Sequence, residues 1–310
     1  MSPHEANERV LRVDRTRKEG TVEVISSNIA TIGTEKDMAL ADAARLAHGD
    51  HQPVLAVEGV QHRYGSGARS HLAVEHLDFT INESEFVSVV GPSGAGKSTL
   101  LRILSGLLVP STGRVVFEGK TIHSVPAGLA MVFQDYSRSL LPWLTVQKNI
   151  GFSLLNLKLS KAEQAERIRD SLASVGLDGH GDRYPWQLSG GMQQRVAIAR
   201  ALAYRPHILL MDEPFASVDA QTRAELEDLT LRISREYKMT ILFVTHDIDE
   251  SVYVSDRILV LSKAPATLVA DIDVPLPRDR DQVGTRELPE FVQLRGRVAR
   301  LIRDGADLAH

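Results

Sequence analysis

The 310-residue sequence contains no cysteine, which excludes disulfides, thiolate metal sites and a cysteine nucleophile. Long apolar runs are missing too. None reaches the roughly 18 residues that a bilayer-spanning helix requires, and the N-terminus "MSPHEANERVLRVDRTRKEG" lacks the apolar core of a secretory signal. There is no excess of basic charge: the formal net charge is −4, so nothing global points to nucleic acid as a partner. The 11 histidines are scattered without paired ligand spacing and mark no metal cluster. What the chain does have, 43% hydrophobic and 25% charged residues, is the balance of a soluble globular protein with ample core, in one large domain or two modest ones. The expected place is the cytosol, with any membrane role exercised through a partner.

Residues 1–52 are charged at first, then small and polar, and are expected to form a poorly ordered N-terminal extension. Within it one helix is expected around Glu35 to Ala47, with Thr34 and Asp37 in capping-box register and Gly49 beyond its end. From Val54 the texture changes. "VLAVEGV", "LAVEHLDFTI" and "GRVVFEG" read as antiparallel strands. "FVSVV", "AMVF", "HILLM", "TILFVT" and "RILVL" are compact apolar runs alternating with helical patterns, as strands buried in a parallel sheet should be. Between them Thr145 to Tyr204 reads as mostly helical, with a capping box at Ser160 and Glu163 and a stop at Gly176.

The first chemistry-bearing stretch is "FVSVVGPSGAGKSTLLRILSGL", a strand, then Gly91-x-x-x-x-Gly96-Lys97-Ser98, then an amphipathic helix. That context identifies a phosphate-binding loop. Glycines let backbone N–H groups converge on phosphate oxygens, and the helix N-terminus favours negative charge. Gly91, Pro92, Ser93, Gly94, Ala95, Gly96, Lys97, Ser98 and Thr99 are therefore expected at a nucleotide. Lys97 would reach its β- and γ-phosphates, and Ser98 would offer a hydroxyl to Mg²⁺. Further on, "HILLMDEP" is an apolar strand ending in two carboxylates. Asp212 can join the Mg²⁺ shell, and Glu213 is placed to act as general base toward a water attacking the γ-phosphate. A second glycine-rich element, "WQLSGGMQQRVAIARAL", also opens a helix, although one nucleotide needs only one cradle.

"LSGGMQQR" from Leu188 to Arg195 resembles the signature motif of the nucleotide-binding ATPase subunits of ABC transporters. "SVDA" from Ser217 to Ala220 resembles that family's D-loop, with Val218 where a leucine is usual. "VTHD" holds His246 at the switch position, Gln134 in "MVFQD" falls at the Q-loop, and Tyr64 in "HRYG" takes the place of the aromatic that stacks on adenine. The matches run from about Val54 to Leu261. The resemblance implies an α/β fold: a P-loop NTPase core with a mostly parallel sheet, an antiparallel β subdomain and a helical, signature-bearing subdomain at about 145–205. The cassette is expected over residues 53–265, with a C-terminal extension over 266–310.

The same resemblance implies an ATPase using ATP and Mg²⁺, with Gln134 beside Ser98 and Asp212 at the metal and with Gln134 and His246 sensing the γ-phosphate. It also explains the second glycine-rich element. Two copies would face head to tail, and Ser189, Gly190, Gly191 and Gln193 would complete the site of the ATP seated in the partner, with Asp219 acting across the same dimer. Leu140, Leu141 and Trp143, just after Gln134, would meet a helix of a membrane permease. "LLPWLTV" and "VPLPRDRD" are similar to the nitrate, sulfonate and taurine importer group. The implied partners are a second copy, a permease and, indirectly, a solute-binding protein, at the cytoplasmic face of the cell membrane. The alternative is an ABC ATPase driving an envelope-remodelling or lipoprotein-release complex. The interval from Gln134 to Ser189 is too short for the long coiled coil of chromosome and repair ATPases.

Overall fold

The computed structural model describes residues 53–67, 70–135 and 139–307. The expected N-terminal extension and its helix around Glu35 to Ala47 lie outside the described residues. Strands β1 (Leu55–Tyr64), β2 (His71–Ile81), β4 (Thr112–Phe117) and β5 (Lys120–Thr121) form an antiparallel sheet in the order β2-β1-β4-β5. Strands β3 (Phe86–Val90), β6 (Leu129–Val132), β7 (Ile208–Asp212), β8 (Thr240–Val244), β9 (Arg257–Leu261) and β10 (Leu268–Asp273) form a second sheet in the order β10-β9-β3-β8-β7-β6. Its pairs are parallel except β10 with β9.

The unbroken apolar runs are explained by burial on both faces of this second sheet. In β3, Phe86 and Val90 join one core cluster while Val87 and Val89 join the other. β8 divides in the same way, Ile241 and Phe243 against Leu242 and Val244. One layer holds α1 (Lys97–Leu104) and the antiparallel sheet. The other holds α2 (Val146–Phe152), α3 (Lys161–Ser174), α4 (Gly190–Tyr204), α5 (Ala220–Tyr237) and α6 (Ile248–Val254). The chain ends in a short α7 (Gly284–Glu287) and α8 (Pro289–Asp307).

Helix α3 begins where its sequence signal lies: Glu163 N–H donates to the Ser160 hydroxyl and Ser160 N–H to the Glu163 carboxylate. Past its end Gly176 takes a φ of 69°, the left-handed conformation that helix-terminating glycines supply. α2, α3 and α4 occupy the interval expected to be helical.

The chain does not leave the fold at residue 265. β10 pairs along β9 as the edge of the main sheet, and Phe291, Leu294 and Val298 of α8 are buried in its core cluster. The C-terminal residues are therefore packed structure rather than an appendage. Phe291 is 1% exposed, so Phe291→Ala should lower unfolding free energy by about 3–5 kcal/mol in urea denaturation. An unchanged midpoint would return these residues to the status of an addition outside the cooperative unit.

Candidate functional site

The parallel strands deliver their C-terminal ends to one edge of the sheet, where α/β folds place ligands. β3 runs into the phosphate loop, β7 ends at Asp212, and β8 is followed by Thr245 and His246. Two backbone bonds stitch these ends together: Glu213 N–H to Val244 O at 2.8 Å and Thr245 N–H to Val89 O at 3.2 Å.

The loop's conformation depends on glycine at one decisive position. Gly96 has φ 86°, and a Cβ there would stand 2.7 Å from Ala73 O, so both the backbone angle and the approach to β2 exclude a side chain. Ala95 is buried, while Ser93 and Gly94 are exposed at the tip. Lys97 folds back over the loop, its Nζ donating to Gly91 O at 2.9 Å and Pro92 O at 3.0 Å. Burial lowers its affinity for the proton, against the attraction of Glu213 and Asp212. Asp212 is pushed the opposite way: burial and the charge of Glu213 raise its pKa, while Lys97, a hydrogen bond from Ser98 and Arg102 oppose the rise. Tyr64 sits at the end of β1, 38% exposed, its hydroxyl 3.2 Å from Thr99 Oγ1.

Three expected residues meet at one oxygen. Glu213 Oε2 accepts from Gln134 Nε2 at 3.2 Å and lies 3.0 Å from His246 Nδ1. Among the described residues no protein group bonds Oε1. Glu213 holds a φ of 41°, a conformation uncommon for a residue with a side chain.

The site lacks any cluster of three or more His, Asp or Glu suited to a metal, among the described residues. Its donors do fit Mg²⁺, which takes few protein oxygens and fills its shell with water and substrate phosphate. Ser98 is near enough to Asp212 to steady its charge, and Gln134 shares a cleft with Asp212.

Among the described residues no hydrogen bond or ion pair joins the second glycine-rich element to these groups. Ser189 caps α4 and accepts from Met192 N–H at 3.3 Å. Gly190 opens that helix, and Gln193 donates to Leu188 O at 3.2 Å. Asp219 caps α5, bonding Thr222 N–H at 3.0 Å and the Thr222 hydroxyl at 2.7 Å. Thr222 in turn lies against Gly191, where a Cβ would meet its Cγ2 at 2.3 Å. Thr222, a residue that sequence reasoning missed, thus joins the two elements within one chain.

Of the three residues expected to touch a permease, Leu140 is corrected. It is 2% exposed and belongs to the core, because only one side of this apolar turn faces out. Leu141 is partly buried, and Trp143 is 70% exposed. The buried amide of Asn149 fixes this turn, accepting from Leu141 N–H and donating to the carbonyls of Leu141, Leu144 and Thr145. Beside it opens a cleft of about 1100 Å³ lined in part by Val125, Phe133, Gln134, Phe152, Arg200 and Asp212. Exposed Phe133 and Phe152 had no sequence signal, since nothing in their spacing separates them from core aromatics.

The ABC transporter family profile matches residues 74–216. The bicarbonate transport ATP-binding protein CmpD of Synechococcus elongatus is 40% identical over 79% of this chain and 88% of its own length. The chain belongs to the ABC transporter ATP-binding family. The nitrate transport protein NasD of Klebsiella oxytoca is 39% identical over 80% of this chain and 95% of its own length. Among solved structures, a dimeric ATP-binding cassette in a post-hydrolysis state bound to ADP and Pi is 31% identical. It covers 71% of this chain and 98% of that chain, with a TM-score of 0.63. The cassette is an ATPase of this family and a binder of nucleotide. Among its described residues no helix is long and apolar enough to cross a membrane.

The Gly191–Thr222 contact is open to a direct test. Gly191→Ala should cost about 1–3 kcal/mol through overpacking. Adding Thr222→Ser, which removes Cγ2 and keeps the hydroxyl, should recover most of that loss in urea denaturation. An undiminished cost in the double variant would show that the strain lies elsewhere.

Proposed function

We propose that two copies of this cassette hydrolyse two ATP molecules between them, with Mg²⁺, and so drive a membrane permease that imports a small inorganic or organic anion. The observation that carries the chemistry is the convergence of Gln134 and His246 on one oxygen of Glu213. The ammonium of Lys97 counters phosphate charge, and the first N–H groups of α1 add donors at the same place. Gln134 and His246 hold the carboxylate by Oε2 and turn Oε1 toward a water, whose proton Glu213 takes as that water attacks the γ-phosphate. Ser98, Asp212 and Gln134 would hold the metal, which when bound neutralises charge on the transferring phosphoryl group. Tyr64 would stack on the adenine.

Ser189, Gly190, Gly191 and Gln193 complete the partner's site in this reading, with Asp219 beside them. The reading is supported by the dimeric state of the similar cassette. Import of an anion is supported by the names of two relatives, one for bicarbonate and one for nitrate; sulfonates and taurine belong to the same chemical range. A solute-binding protein would deliver the cargo, and the cassette would work at the inner face of the membrane. Its permease contact is assigned to Trp143, Leu141 and the exposed aromatics beside them, Phe133 and Phe152.

Glu213→Gln should keep nucleotide affinity and slow hydrolysis by about 10²–10⁴-fold, whereas loss of the Lys97 ammonium should weaken binding. With Mg²⁺ and ATP the Glu213→Gln chain should move from monomer toward dimer in light scattering, and Ser189→Arg should prevent the move. A dimer indifferent to nucleotide and to Ser189→Arg would sink the shared-site model. Trp143→Ser with Phe152→Ser should leave the isolated chain's ATPase unchanged but uncouple ATPase from cargo in the assembled transporter, because exposed aromatics at an interface act as anchors. Full uptake by the double variant would place the permease elsewhere.

A further inference from the structure

Behind the loop of His246 lies a buried carboxylate with no part in the chemistry above. Glu250, on α6, is 4% exposed. Its Oε2 accepts from the Thr245 hydroxyl at 2.6 Å, and Thr245 Oγ1 itself accepts from Asp247 N–H at 3.0 Å. With that lone pair engaged, the threonine's proton is directed to Glu250, and the residues on either side of His246 are tied into one hydrogen-bonded chain. The other oxygen, Oε1, faces Arg223 Nε at 3.5 Å, and Arg223 Nη1 stands 3.4 Å from Asp247 Oδ2. Arg223 Nε is buried without a hydrogen bond, so its relation to Glu250 is one of charge. Arg223 stands in the first turn of α5, its N–H bonded to Asp219 O at 2.9 Å.

We propose that Glu250 is a positioning residue for ATP hydrolysis: in its ionised form it anchors the loop carrying His246 to the first turn of α5, the helix that Asp219 opens. His246 is one of the two groups that orient Glu213, so a loosened loop would let the carboxylate turn without disturbing the phosphate loop. The inference rests on the ATPase reading given above.

The surroundings make the anchor sensitive to protons. Burial first, then the negative charges of Asp247 and of Glu227 on α5, push Glu250 up to about 7, against the Thr245 hydrogen bond and Arg223. Glu227 is itself held from the C-terminal segment by Gln282 and by Arg286 at 2.8 Å. The sign follows directly. Above pH 7 the carboxylate is charged and holds Arg223; below it the added proton removes that attraction.

The test is steady-state ATPase of the full chain from pH 6 to pH 8 at saturating MgATP. In the unaltered chain kcat should be about tenfold lower at pH 6 than at pH 8, following the ionised fraction, with little change in KM. Glu250→Gln, whose amide oxygen still accepts from Thr245, should flatten that ratio to within about twofold. Arg223→Gln removes the cation that the carboxylate holds, so kcat should be low across the range and the ratio should again fall to within about twofold. A flat profile in the active unaltered chain overturns the proposal, and so does an undiminished pH limb in Glu250→Gln, which would assign the titration to another group. If Glu250→Gln does not fold, an undiminished pH limb in Arg223→Gln overturns it equally. An unaltered chain inactive at every pH would instead defeat the ATPase reading.

Discussion

The hydrogen-bonded register of β3, β8 and β7 is the constraint on which the site depends. Val89 pairs with Val244, and Val244 with Asp212, so three strands finish at one level. Gln134, Asp212, Glu213 and His246 all lie within a few residues of that line. A slip of one residue in β3 or β8 would exchange the side chains that pack in the two core layers. It would also draw Asp212 and Glu213 away from the loop that holds Lys97. The two dry layers of core therefore do more than stabilise the fold: they penalise every register but the one that assembles the site.

The same burial sets the electrostatics. Lys97 and Asp212 are both partly withdrawn from water, which disfavours each charge, while each is steadied by the other. Lys97 meanwhile spends its donors on the carbonyls of Gly91 and Pro92. A polyanionic substrate offers that ammonium better acceptors than two neutral carbonyls, since charge-assisted bonds are the stronger kind. Exchange of those two carbonyl bonds for phosphate bonds on binding is therefore favoured.

The motif residues were legible because phosphate chemistry demands particular side chains at fixed spacings beside a strand and a helix. The strands were legible for a related reason, their apolar runs having no polar face. What escaped the sequence was long-range. Leu140 and Trp143 lie three residues apart in one apolar cluster, and only the fold decides that the first faces the core and the second faces water. Thr222 and Gly191 meet across two helices, and Glu250 reaches Arg223 from another element. The C-terminal residues were read only as an extension, and nothing in their local pattern says that β10 pairs along β9. Each of these depends on a contact partner that the local pattern does not name.

Asn149 carries a mechanical consequence. One buried amide holds three carbonyls and one N–H of the turn from Leu141 to Thr145, so the turn is ordered before anything docks on it. A partner seated on Trp143 therefore forfeits little conformational entropy in ordering its seat. The turn is also stiff, and stiffness governs what travels. A displacement applied there passes into α2 and the core beneath it as motion of a body, where a pliant loop would dissipate it as local bending.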